Sequence, residues 1–182
     1  MSLSVRPGEI LGAAAGGTVL LAGIPVFIVL THTAYPVEFM TSPKAALVIG
    51  ALSSGTGLGL FFWSCYELII KGKGGPAVLG KLKLTRETRF LVTTGPYAIC
   101  RNPMHLGLIL YYFGLSCAIN SLSGLLTAVA FAVFAWLAAV YADEPRLKRD
   151  FGREYDKWAS VVPRFIPRTR KSPGGNQRPP QS

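Results

Sequence analysis

Hydrophobic residues gather in four long segments, and the chain between them is polar or basic. The segments are Ile10–Leu30, Ala45–Tyr66, Met104–Asn120 and Leu122–Ala142, and His105 is their only acidic or basic side chain. A bilayer core about 30 Å thick needs roughly 20 helical residues, so the first, second and fourth segments are each long enough. The third is shorter and needs a turn from the residues before it. We therefore predict about four transmembrane helices.

The first segment could be read as a cleaved signal peptide instead of a transmembrane helix. Its apolar run exceeds the usual length of about 7–15 residues, and Glu9 offsets the single Arg6 on its flank. We predict a retained helix, which Pro25 is expected to kink. Small residues at four-residue spacing predict close packing between the first two helices: Gly12/Gly16, Ala13/Gly17, Gly50/Ser54 and Gly55/Gly59.

The third and fourth segments are joined only by Asn120 and Ser121. So short a connection predicts a tight helical hairpin whose outer ends lie on one side of the membrane. Residues 71–101 and the chain from Asp143 onward hold 17 of the 19 lysines and arginines. The positive-inside rule assigns that basic face to the cytoplasm, and four spans place both termini there.

Composition excludes an ordinary soluble fold. Half of the residues are hydrophobic and only 15% are charged, against roughly 25% in soluble domains, although the net charge is +10. The membrane accounts for the basic residues, so we predict contact with membrane lipid headgroups and no nucleic acid partner. Three scattered cysteines without a CxxC pair predict neither a disulfide framework nor a metal site.

The polar segments differ in character. Residues 71–83 are rich in glycine and lysine and predict a surface loop, whereas residues 168–182 predict a disordered basic tail. Residues Asp143–Ser160 predict an amphipathic cytoplasmic helix, since Leu147, Phe151, Tyr155 and Trp158 form one stripe. The fold class is thus an all-α integral membrane protein with a C-terminal helical hairpin. Its parts are two N-terminal helices (1–70), a basic connector (71–103), the hairpin (104–142), the amphipathic helix with its following segment (143–167) and the tail (168–182).

Polar and ionisable residues lie at both outer ends of the hairpin. Arg101 and Asn102 precede the third segment, His105 lies in its first turn, and Asp143 and Glu144 follow the fourth. The short connection should bring both sets to one pocket, where a cation, an amide and carboxylates suit a zwitterionic cofactor. The alternatives are a snorkelling arginine, a helix-capping Asp143 and a purely structural Arg–Glu pair.

The ordered motifs resemble those of the isoprenylcysteine carboxyl methyltransferase family, and related membrane phospholipid methyltransferases share much of the pattern. The resemblance covers about residues 91–167. It is carried by Gly95, Tyr97, Arg101, Asn102, Pro103 and Gly107, then by Asp143, Glu144, Leu147, Phe151, Gly152 and Tyr155, and finally by Val162-Pro163-Arg164-Phe165-Ile166-Pro167.

This resemblance implies an S-adenosylmethionine-dependent methyltransferase with a lipophilic acceptor, most simply the carboxylate of a prenylated cysteine or a similar lipid-linked group. It implies catalytic roles for Arg101 and Glu144. The implied cofactor-binding residues are Gly95, Tyr97, Arg101, Asn102, Pro103, His105, Gly107, Asp143, Glu144 and Leu147. In a eukaryote, the implied membrane is that of the endoplasmic reticulum.

Three positions depart from the family pattern. Asn102 stands where many members have His, His105 where Tyr is usual, and Pro145 follows the acidic pair. The alternatives that remain open are a phospholipid amine methyltransferase, a nicotinamide-dependent membrane reductase of related architecture, and a noncatalytic membrane scaffold. The methyl acceptor, the host membrane and the oligomeric state do not follow from the sequence.

Overall fold

The computed structural model describes residues 7–73, 78–79, 82–83 and 88–166. The predicted disordered tail and parts of the basic connector lie outside the described residues. The described elements are helical apart from two short strands that pair antiparallel. In chain order they are α1 (Pro7–Thr18), a π-turn (Val19–Gly23), α2 (Ile24–Ala34), α3 (Pro43–Ile70), β1 (Val78–Leu79), β2 (Leu82–Lys83), a 3-10 turn (Gly95–Ala98), α4 (Pro103–Ala118), α5 (Leu122–Ala138), a second π-turn (Ala139–Asp143) and α6 (Glu144–Val161).

Three described helical segments are long and apolar enough to cross a membrane: Ala14–Ala34, Pro43–Ile70 and Leu122–Val161. Helix α4 has 16 residues, or about 24 Å, which is short of a bilayer core. The fourth span therefore remains a prediction. Many large apolar side chains point away from the protein, among them Val26, Leu52, Leu126 and Val133. Lipid contact explains this exposure, and the chain is an integral membrane protein.

Two prolines explain the two π-turns. Pro25 and Pro145 each lie two residues beyond a π-turn, and each lacks an N–H and would press its ring against the carbonyl four residues earlier. The helix widens instead, so that the Ile24 N–H bonds to the Val19 oxygen and the Glu144 N–H to the Ala139 oxygen. The chain therefore stays helical past both prolines, over Ala14–Ala34 and Leu122–Val161.

The first π-turn also frees a carbonyl for a tertiary contact. The Leu20 oxygen, which an α-helix would bond to the N–H of Ile24, accepts a hydrogen bond of 2.7 Å from the buried Tyr112 hydroxyl. This bond joins the first membrane segment to α4. At Pro25 the structure therefore shows a widened turn that helps attach the segment to its neighbour, and the predicted kink stays a prediction.

Glycines bring α3 and α4 into backbone contact. A Cβ on Gly57 would lie 2.5 Å from the Gly107 oxygen, and one on Gly107 would lie 2.7 Å from the Gly57 oxygen. A Cβ on Gly50 would likewise meet the backbone of Ala118 at 2.5 Å. The prediction that the small residues of the second segment pack against the first is therefore wrong for Gly50, because its close neighbour is α4.

Buried side chains form two separate clusters. One lies among the membrane helices and is built from Ile28, Phe61, Leu108, Tyr112, Ala128, Phe131 and Ala135. The other joins α6 to the segment before α4 and is built from Val92, Tyr97, Tyr155, Trp158 and Val162. The second cluster confirms the predicted apolar stripe of α6, since Leu147 and Phe151 also pack against it.

The amphipathic helix has a break that its apolar stripe does not predict. Gly152 has φ of 50° and ψ of −121°, a conformation that glycine adopts readily and other residues rarely do. The break lies between Phe151 and Tyr155 and kinks α6 within its apolar stripe. The alternative in which Asp143 caps the helix is wrong, because its side chain makes no capping hydrogen bond.

Replacing Gly57 by alanine should lower the unfolding midpoint of the detergent-solubilised protein by several degrees. The new methyl would overlap the α4 backbone, and overpacking of this kind costs about 1–3 kcal/mol. Gly59→Ala is the matched control, since nothing lies within 4 Å of its Cβ position on the same helix. Equal midpoints for the two variants would show that α3 and α4 do not pack this closely.

Candidate functional site

A cleft lies where α4 begins and the second π-turn ends. Including its open mouth, its volume is about 680 Å³. Its lining combines a polar group, Arg101, Asn102, Asp143 and Arg146, with a mainly apolar one, Leu68, Thr88, Leu91, Val92, Tyr97, Pro103, Met104, Leu147 and Trp158. The cleft therefore offers charged groups and apolar surface to one ligand.

Glu144 is bound by two arginines beside the cleft. The Arg164 guanidinium donates from Nε to Oε1 at 2.5 Å and from Nη2 to Oε2 at 2.9 Å. Arg101 Nη1 lies 3.2 Å from the same Oε1 and 3.3 Å from the Tyr155 hydroxyl. The predicted meeting of Arg101 with the acidic pair is thus present in the structure, and it takes the form of an ion pair with Glu144.

Backbone hydrogen bonds attach the C-terminal segment to the same place. The Arg101 N–H donates to the Pro163 oxygen at 2.8 Å, and the Asn102 N–H donates to the Arg164 oxygen at 3.2 Å. The Asn102 side-chain amide also donates to the Arg164 oxygen at 3.2 Å. Val162, Pro163 and Arg164 of the predicted Val162–Pro167 motif therefore belong to the site's framework, whereas Ile166 is exposed and residue 167 lies outside the described residues.

A second hydrogen-bonded turn supports the wall that carries Tyr97. Gly95 has φ of 60°, and a Cβ there would lie 2.9 Å from the Glu67 carboxyl carbon. Glu67 Oε2 accepts from the Thr94 hydroxyl at 3.1 Å and pairs with Lys71 Nζ at 2.7 Å. Trp158 Nε1 donates to the Tyr97 oxygen at 3.2 Å and fixes the turn to α6.

Three buried polar atoms of the cleft residues have no hydrogen-bond partner among the described residues. They are Arg101 Nε, Asp143 Oδ1 and Arg146 Nε. Buried polar groups are nearly always paired in native proteins, and leaving one unpaired costs about 1–3 kcal/mol. The cleft residues thus hold two cationic donors and one carboxylate oxygen without a hydrogen-bond partner among the described residues.

The structure divides the sequence-predicted residues into two sets. Tyr97, Arg101, Asn102, Pro103, Asp143 and Leu147 line the cleft, whereas the described positions of Gly95, His105, Gly107 and Glu144 lie outside its lining. Gly107 is at the α3–α4 contact and Gly95 at the turn over Glu67. Both oxygens of Glu144 already accept hydrogen bonds from Arg164.

Several lining residues were not predicted from the sequence. Trp158 belongs to the apolar stripe of α6, and Met104 lies between the predicted Pro103 and His105. Their places in the sequence were the only signal that could have identified them as lining residues. Arg146 follows Pro145 and resembles an ordinary charge on a solvent-facing helix. Its side chain is nevertheless only 12% exposed, because the cleft encloses it.

Burial sets the protonation of Tyr97, which lines the cleft, and of Cys100, which lies next to Arg101 in the chain. It raises the pKa of the Tyr97 phenol well above its ordinary value, so the hydroxyl stays neutral. It also raises the pKa of the Cys100 thiol to about 11, which leaves that sulfur a poor nucleophile. The hydrogen bonds from Arg164 to Glu144 raise the pKa of the guanidinium further.

Three curated proteins are similar to parts of the chain. It is 34% identical over 84 residues to the nickel-cobalt-cadmium resistance protein NccN of Alcaligenes xylosoxydans. It is 36% identical over 84 residues to the cobalt-zinc-cadmium resistance protein CzcN of Cupriavidus metallidurans. It is 34% identical over 90 residues to protein-S-isoprenylcysteine O-methyltransferase B of Arabidopsis thaliana.

Each similarity covers less than half of this chain and less than half of the related protein. The matched segments cover 46% or 47% of this chain. They cover 38% of each metal resistance protein and 44% of the plant enzyme.

A family comparison reaches further along the chain. The family model described as phospholipid methyltransferase matches residues 45–154, which run from α3 to the second half of α6. That match includes Arg101, Asn102, Asp143 and Arg146 of the cleft and extends over more than half of the protein. The chain belongs to the phospholipid methyltransferase family of membrane methyltransferases.

Proposed function

We propose that this protein transfers a methyl group from S-adenosylmethionine to a lipophilic acceptor at the membrane surface. The proposed acceptor is the carboxylate of a prenylated cysteine or a similar lipid-linked group. The observation that carries the proposal is the set of unpaired buried atoms on Arg101, Asp143 and Arg146, which line one cleft in a chain of a membrane methyltransferase family.

The cleft residues fit the chemical groups of this methyl donor. Its amino-acid end carries a carboxylate and an ammonium, which suit arginine donors and the Asp143 oxygen respectively. Its adenosine suits the apolar walls, to which Tyr97 and Trp158 contribute aromatic rings. When bound, S-adenosylmethionine supplies an electrophilic methyl group on a sulfonium centre.

The protein's own part in the reaction is then mostly positioning. A carboxylate acceptor is already a nucleophile at neutral pH and needs no general base, so holding both reactants in line is the main requirement. In this proposal Arg101 and Asp143 contact the bound ligands. Glu144 holds Arg101 in place and binds Arg164, rather than contacting the methyl donor itself.

Aromatic residues support a position of the cleft at the membrane surface. Exposed aromatic residues lie in the last third of α3, at the end of α5 and in the second π-turn, toward the cleft: Trp63, Tyr66, Trp136 and Tyr141. Exposed Trp and Tyr are typical of the headgroup level of a bilayer. Leu122 and Tyr141 are separated by about 29 Å of helix, close to the thickness of the hydrocarbon core.

The same reasoning supports the proposed topology. In it, α4 completes a fourth span with the turn before it, and the α4–α5 hairpin returns the chain to the cleft side. The basic residues then lie on the cytoplasmic side together with both termini and the active face. The proposed organisation into two N-terminal helices, connector, hairpin, amphipathic helix and tail agrees with this topology.

Ligand binding by the detergent-purified protein tests the cofactor. We expect calorimetry and thermal shift to give saturable binding of S-adenosylmethionine and S-adenosylhomocysteine, and none of NADPH. NADPH binding alone would move the function to a reductase. No binding by folded protein would favour a scaffold, and either result would overturn the proposal.

Asp143→Asn should weaken S-adenosylhomocysteine binding by about 10- to 100-fold, because a hydrogen bond to a charged group contributes about 1.5–3 kcal/mol. Calorimetry measures the change. Glu154→Gln is the matched control, since Glu154 is exposed on α6, the helix that directly follows Asp143. An unaltered affinity in folded Asp143→Asn protein would remove Asp143 from the binding site.

Arg164→Ala and Glu144→Ala should each lower the unfolding midpoint, and their effects should not add. Each substitution breaks the same pair of hydrogen bonds, so the double variant should lose less than the sum of the single losses, with a coupling of about 0.5–3 kcal/mol. Arg149→Ala is the control, because that side chain is 71% exposed. Strictly additive losses would show that the two residues do not stabilise the fold together.

A further inference from the structure

Arg146 differs from the other arginines of the site in what it binds. Arg164 and Arg101 are both engaged with Glu144. The charged neighbour of Arg146 among the described residues is Asp143, and its Nη2 lies 3.8 Å from Oδ1, beyond hydrogen-bond distance. Its Nε is buried without a partner. Within the described part of the chain, Arg146 is therefore an enclosed cation whose Nε has no hydrogen-bond acceptor.

Helical spacing explains why Asp143 and Glu144 contact different partners. Asp143 and Arg146 are three residues apart and so lie on one face, which lines the cleft. Glu144 is rotated about 100° from Asp143 and points to Arg164 and Arg101 instead. The structure thus separates a carboxylate that holds the framework from a carboxylate and an arginine that face the ligand.

We infer that Arg146 binds the anionic group of the ligand in this cleft, with Asp143 beside it binding the ligand's ammonium or hydroxyl groups. The inference rests on the proposed function and adds to it a residue that sequence motifs do not assign. A carboxylate or phosphate matches the planar guanidinium fork, which can donate two parallel hydrogen bonds. The anionic group belongs either to the amino-acid end of the methyl donor or to the acceptor.

Two pairs of probes separate these sources. S-adenosylhomocysteine carries the amino-acid end and 5′-methylthioadenosine lacks it. N-acetyl-S-farnesylcysteine carries an acceptor carboxylate, and its methyl ester does not. Calorimetry on the full chain in detergent would compare the wild type with Arg146→Gln, and Arg149→Gln would serve as the exposed control on the same helix.

The expected result is a loss of about 10- to 100-fold in affinity for one anionic probe, with its uncharged partner unaffected. A loss confined to S-adenosylhomocysteine assigns Arg146 to the methyl donor. A loss confined to farnesylcysteine assigns it to the acceptor. Arg146→Lys keeps the charge but not the fork, so it should retain part of the affinity, and it replaces the glutamine variant if that one does not fold.

Unchanged affinity of folded Arg146→Gln for both anionic probes, where the wild type binds them, would overturn this inference and leave the proposed function standing. If the folded wild-type protein binds none of the four probes, both proposals fail. Arg149→Gln should match the wild type throughout. An equal loss in Arg149→Gln would mean that general charge, rather than the cleft, governs binding and would also overturn the inference.

Discussion

Three separate parts of the chain meet at the Glu144 carboxylate. It begins α6, it binds Arg164 of the C-terminal segment through both oxygens, and it lies 3.2 Å from Arg101 at the entry to α4. The backbone bonds from residues 101 and 102 to residues 163 and 164 run beside this ion pair. The walls of the cleft keep their spacing because these segments are tied to one another, and removing one partner would leave the other charges partly buried and uncompensated.

The two parts of the molecule are held together by different forces. Among the membrane helices, lipid is as apolar as the side chains, so close packing matters more than burial. That is where Gly57 and Gly107 allow backbone contact. Around α6, water is the competing solvent, and burial of Tyr155 and Trp158 supplies the hydrophobic contribution. The cleft lies between these regions, and its lining includes both apolar and charged side chains.

Local patterns predicted most of the helices, and one short connection predicted the central contact. Asn120 and Ser121 are too few to do more than turn the chain, so Arg101 had to return near Asp143 and Glu144. The roles within the site were harder to predict because they depend on distant partners. Gly107 belongs to a motif but packs on Gly57, fifty residues away, and no local pattern reveals that contact. Arg146 resembles a surface charge until the fold encloses it.

The second π-turn has a consequence for how related chains align with this one. A π-turn holds one residue more than the α-helical pattern, and a single residue corresponds to about 100° of helix rotation. Pro145 favours the wider turn, and the extra residue sets which side of α6 faces the cleft. A relative without this proline could lose one residue within 139–143 and still present Asp143, Glu144 and Arg146 in the same directions. In an alignment with such a relative, the gap should therefore be placed at the π-turn. The helix type changes there, while the directions of the site residues stay the same.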